Sequence, residues 1–197
     1  MTVVLINDSD NYTHQIWAQE QAASCAVASL WMARNQAKQS TAMEEEWALA
    51  WRLYNRVVLA APAEFMPLAP APRTFDPKAY KNDQNTFEDM FSNAGTFMSQ
   101  VSAALQIDGL KVTFATPFGK GITVDAARLS DTTPAIVLLG WYSGATRNGG
   151  HFIVASRVTG SGKIAYLDPW GGKLRELGSG PNYPPTGVFE QVIYISR

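Results

Sequence analysis

The stretch GGHFIVASRVTGSGKIAYLDPWGG, residues 149–172, holds two β-rich runs, HFIVASRV and KIAYLD, on either side of Thr159-Gly160-Ser161-Gly162. Runs of β-branched and aromatic residues joined by a short Gly-containing connection read as a β-hairpin. With the turn centred between Gly160 and Ser161, facing residue numbers sum to 321, so Ile153 faces Asp168 and His151 lies two residues along on the same face. Asp168 then reaches the His151 ring diagonally. A carboxylate that accepts the imidazole Nδ1–H fixes the tautomer and stabilises the imidazolium.

Outward from this hairpin the same pattern continues. LKVTFA at 110–115, AIVLLGWY at 135–142, KLREL at 173–177 and VFEQVIYIS at 188–196 all read as strands, with a short helix at 123–129. Toward the N-terminus the pattern becomes helical. Residues 24–38 are Ala-rich and apolar nearly all round, which suits a buried helix. Thr41 followed by Glu44 has the form of a capping box and opens a second helix to about residue 60. The prolines between Pro62 and Pro77 mark a loop or extended strap, and a third helix covers 86–105. Helices first and strands afterwards give an α+β fold with an antiparallel sheet in the second half. One domain spans 1–197, mainly helical to 105 and mainly β from 106.

Composition narrows the function. The 197 residues are 46% hydrophobic and 17% charged, enough for one sizeable core. A formal net charge of −1 leaves no polybasic footprint for nucleic acid. No apolar stretch approaches the ~20 residues of a membrane span, and the N-terminal sequence MTVVLINDSD lacks the features of a signal peptide. The expectation is therefore synthesis in the cytoplasm, with any export or injection by a leaderless route. A single cysteine excludes an internal disulfide and a zinc site built from paired cysteines, and the two histidines, His14 and His151, have no ligand spacing. No cofactor is implied. TGSGKI at 159–164 lacks the Gly and Ser/Thr of a phosphate loop and reads as the hairpin turn.

The lone thiol, Cys25, follows Ser24 at the start of the first helix. Unpaired N–H groups and the positive end of the helix dipole stabilise an anion there, which turns a thiol into a nucleophile. A cysteine in an Ala-rich helix also serves simply as a small packing residue. His151 at a strand start and Asp168 at the end of its hairpin partner supply a base and an orienting acid, and so favour the nucleophile. Gln19, six residues before Cys25, is the candidate donor to an oxyanion alongside the Cys25 backbone N–H, with Gln21 its competitor. Trp170, beside Asp168, is a candidate wall of the cleft.

Gln19 with Cys25 at a helix start, GGHFIVASRV and YLDPWGG together resemble the papain-like cysteine peptidases, in particular the branch with the bacteriocin-processing (C39-like) peptidases and the papain-like type III effector proteases. The resemblance covers three motifs over residues 19–172 and leaves about 40 to 130 unaligned. It implies a helical lobe bearing the nucleophile packed on a sheet lobe bearing His and Asp, with the cleft between. Carried over residue by residue, Cys25 is the nucleophile, His151 the base, Asp168 the orienting acid and Gln19 the oxyanion donor. Ala23-Ser24-Cys25-Ala26 departs from the Gly-Ser-Cys-Trp of papain, and Ala26 from the Gly common in bacteriocin-processing members. Asp168 in place of papain's Asn agrees with that second group.

The expected activity is hydrolysis of a peptide bond in a peptide or protein substrate. The same residues would also serve an acyl transferase, deamidase or amidase, or stand idle in a domain that binds a peptide or partner protein. An enzyme of this kind without a pro-region needs another restraint, such as a regulatory partner or inhibitor. The proline strap and the loop at 143–150 are the expected cleft walls, the latter a gate over His151.

Overall fold

The computed structural model describes residues 2–50 and 96–197. Its architecture is α+β, with few helices and one large antiparallel sheet. The elements in chain order are β1 (Thr2–Asn7), β2 (Thr13–Ala18), α1 (Cys25–Lys38), α2 (Met98–Ile107), β3 (Lys111–Ala115) and β4 (Ala135–Ser143). They continue with β5 (Thr146–Val158), β6 (Ile164–Asp168), β7 (Lys173–Leu177), β8 (Asn182–Tyr183) and β9 (Gly187–Ser196). The large sheet runs β3-β9-β4-β5-β6-β7, with β8 added to β9, while β1 and β2 form a separate hairpin.

Strand β4 shows why this sheet forms. Its run AIVLLG is buried throughout, because both faces of the sheet are covered and a strand covered on both sides has no polar alternation. Ile136 and Leu138 face a core shared with α1, α2 and β2, while Ala135, Val137 and Leu139 face a second core with Tyr166, Tyr183, Phe189 and Tyr194. Helix α1 lies deep in the first core and exposes only around Gln36 and Lys38, as its all-round apolar sequence requires. No described helix is long and apolar enough to cross a membrane.

Several local expectations are corrected. The N-terminal part is not purely helical, since it opens with the β1–β2 hairpin, turned through Asp8–Tyr12 with Asn11 at a φ of 63°. The Thr41–Glu44 capping box does not form: residues 41–45 are not helical, helix starts at 46, and Glu44 reaches back to Arg34. Between 123 and 129 only a 3-10 turn, Ala126–Arg128, is present. The stretch at 143–150, expected as a loop, is the tight end of the β4–β5 hairpin, Ser143 pairing with Thr146. Gly144 adopts the positive φ of 61° that such a two-residue turn needs. The third helix, expected over 86–105, starts at Met98 after the extended N-cap Phe97 and runs to Ile107; the expected course of the second helix beyond residue 50, the proline strap at 62–77 and the stretch 86–95 lie outside the described residues.

Candidate active site

The hairpin register places His151 and Asp168 together. Val154 faces Leu167 and Ala155 faces Tyr166, both summing to the expected 321, before an irregularity at Ser156 shifts the turn end by one. Phe152, Val154 and Leu167 pack toward α1, so by strand parity His151 and Asp168 share the opposite face. His151 Nε2 lies 2.7 Å from Asp168 Oδ1. This corrects the sequence expectation of an Nδ1 contact. With Nε2 engaged by the carboxylate, Nδ1 is left for Cys25, which sits in the first turn of α1 close enough to act on the ring's ionisation.

Burial opposes a charge on His151, but the hydrogen bonds to Asp168 and Cys25 and the charges of both groups outweigh it and lift its pKa to about 9. Two indoles adjoin the ring: Trp141 stacks at 6.0 Å and Trp170 meets it edge-on at 6.2 Å. Such faces favour an imidazolium over bulk apolar surroundings.

Asp168 is buried and fully engaged. Oδ1 accepts from His151 and, at 2.8 Å, from the backbone N–H of Trp170, while Oδ2 accepts from the Tyr183 hydroxyl at 2.8 Å. Burial alone would raise its pKa, but the His151 contact, the Tyr183 bond and the Trp170 N–H together hold it below the usual carboxylate range. Tyr183, on β8, was not singled out in the sequence; only its place among turn prolines was visible there. Tyr183→Phe removes one donor from a buried carboxylate and is expected to cost about 1–2 kcal/mol at pH 7 by urea titration. A depressed carboxylate pKa contributes stability above its unfolded value and loses it as pH falls. The difference between wild type and variant should therefore shrink below about pH 4, whereas a packing defect would cost the same at every pH.

The loop before α1 is built around one carbonyl. Gln21 O accepts from the Ser24 N–H at 3.2 Å, the Ser24 hydroxyl at 3.0 Å and the Gln19 side-chain amide at 2.7 Å. Ser24 occupies the N-cap position but makes no side-chain cap. Among the described residues no acceptor takes the Cys25, Ala26 or Val27 N–H. Gln19 does not line the cleft. Its nitrogen also donates to Ala22 O at 3.1 Å, which commits both amide protons to the loop, and its buried Oε1 has no partner among the described residues. The reverse amide assignment would set oxygen against two carbonyls.

Cys25, His151 and Asp168 line a cleft of about 1260 Å³, which also takes in Trp141, Trp170 and Tyr183. Gly150 opens this wall: a Cβ there would come within 2.6 Å of Arg147 Nη2 and 3.2 Å of Leu139 O. Arg147 itself is held by Glu190, whose Oε1 and Oε2 each accept at 2.8 Å. No protein-family model and no curated protein matches the chain.

Proposed function

We propose that the chain is a cysteine peptidase of papain-like design, and the observation that carries this reading is the Cys25–His151–Asp168 relay in an open cleft. A free thiol beside an imidazole that an acid orients is the arrangement an acyl-transfer nucleophile requires. The Cys25 thiolate attacks the peptide carbonyl and forms a C–S bond. The carbonyl oxygen takes the negative charge and is held by the Cys25 backbone N–H, a donor with no acceptor among the described residues. Imidazolium gives its proton to the leaving amine as the C–N bond breaks, leaving a thioester. Neutral His151 then takes a proton from water, which attacks the thioester and frees the acid and the thiolate.

Gln19 enters this scheme through the loop. Its amide protons brace the Gln21 and Ala22 carbonyls, and so fix the turn that presents Cys25.

The test is a degenerate peptide mixture incubated with wild type and Cys25→Ala and read by mass spectrometry. Cleavage at a restricted set of sites by wild type, absent in the variant, is the expected result. Amide products on adding excess amine would assign acyl transfer instead of hydrolysis. No turnover at all, together with a thiol that alkylates only at alkaline pH, would overturn the reading.

A further inference from the structure

Strand β7 carries Lys173 and Arg175 two residues apart, so both project from one face, and both line the cleft that holds Cys25. Lys173 is the cross-strand neighbour of Asp168, and Arg175 that of Tyr166. Among the described residues neither forms an ion pair, while the third cation of the cleft, Arg147, is neutralised by buried Glu190. The one acid among the described residues of the cleft wall, Asp168, has both oxygens occupied by His151, Trp170 and Tyr183.

Arg175 carries the more pointed observation. Its guanidinium lies over the Tyr183 ring at 5.4 Å, and among the described residues its buried Nε has no hydrogen-bond partner. A buried donor without an acceptor is costly, and one on an arginine at the edge of a cleft is repaired by an incoming carboxylate, which takes two guanidinium hydrogens at once. Trp170, which lines the same cleft and is 57% exposed, offers an apolar platform for the rest of the ligand.

Building on the peptidase reading, we propose that the cleft selects peptides bearing a carboxylate, which docks on Arg175 and Lys173 along β7 while the neighbouring peptide bond lies at Cys25. The carboxylate comes from an acidic side chain or from a free C-terminus.

Two sets of short alkylating peptides test this. One carries an iodoacetyl group at the N-terminus and the other a chloromethyl ketone at the C-terminus, so that the peptide extends from the Cys25 sulfur in either direction. In each set one position is varied among Glu, Gln and Lys, and that position is moved along the peptide. The iodoacetyl set is also made with an acid or an amide at its end. Every labelling rate is divided by the same protein's rate with iodoacetamide.

In one set and at one position, Glu should label wild type about tenfold faster than Gln and faster still than Lys, with the advantage falling as salt is added. Lys173→Glu should reverse the order of Glu and Lys, and Arg175→Gln should bring Glu level with Gln. An advantage for the terminal acid but none for Glu supports the proposal with the C-terminus as the source. Equal rates for Glu, Gln and the terminal acid across both sets overturn it, as does a preference that both variants leave intact. The peptidase reading fails separately, through an iodoacetamide rate with no acidic limb, and the peptide ratios can be read in either case.

Discussion

Iodoacetamide should alkylate Cys25 in the wild type from alkaline pH down to about pH 6, and His151→Ala should slow that reaction about a hundredfold at the acidic end while changing it little above about pH 9. The size follows from ionisation. An unassisted thiol ionises near pH 8.5, so about one molecule in 300 is thiolate at pH 6, and the more basic thiolate regains part of the loss by its greater nucleophilicity. In the wild type His151, lifted to about 9 by Asp168 and Cys25 against its burial, stays imidazolium through neutrality beside the sulfur. The same raised pKa has a stability signature. Its contribution is fully present below the unfolded histidine value near 6.5 and is lost as pH rises through about 9. Wild type should therefore lose stability across that alkaline window, and His151→Ala should lack the step. If both proteins label only above about pH 8, Cys25 is a packing residue of α1 and the catalytic reading falls.

The second large effect lies away from the cleft. Asp8→Ala should destabilise the protein by about 3–5 kcal/mol at pH 7 in urea titration. Asp8 is buried in the β1–β2 turn. Its Oδ2 accepts from His14 at 3.0 Å and Arg157 at 2.8 Å, and its Oδ1 from the Asp10 and Tyr12 N–H groups at 2.9 and 3.0 Å. Alanine leaves those donors facing nothing, although Arg157 retains Asp10 and Asp131. Burial would raise the Asp8 pKa, but Arg157, His14 and the two turn amides bring it to about 2. A depressed carboxylate stabilises above its unfolded value, near 3.8, and ceases to do so as pH falls through about 2. The cost of Asp8→Ala should thus diminish over that window. Burial also lowers the His14 pKa, so the wild type should begin to lose stability below about pH 6.5.

This network was invisible in the sequence because it joins three separate segments. VVLI at 3–6 does not alternate and is too short to announce a strand, so β1 was missed; the turn-forming NDSDN after it was the available signal. The large sheet was legible, since each of its long strands is a β-rich run set off by Gly, Pro or Asn. The His151–Asp168 pairing was legible too, because register near the open end of a hairpin survives a bulge near its turn. What failed were side-chain choices among equals. Thr41 and Glu44 have the spacing of a cap, yet Glu44 gains more from the buried guanidinium of Arg34, which also binds Asp108. Gln19 has the spacing of an oxyanion donor, yet the carbonyls of its own loop take its protons. Tyr183 and Arg175 carry no spacing signal at all and are brought to Asp168 and the cleft by β8 and β7.

The two indoles that adjoin His151 give the site an optical voice. Protonated imidazole quenches a nearby indole more strongly than the neutral ring, and Trp141 and Trp170 both lie about 6 Å from it. Emission should brighten as the ring is deprotonated near pH 9, with Trp170→Phe and Trp141→Phe each removing part of the change. The charge state of the site can then be followed in real time, including while a substrate arrives, before any substrate has a name.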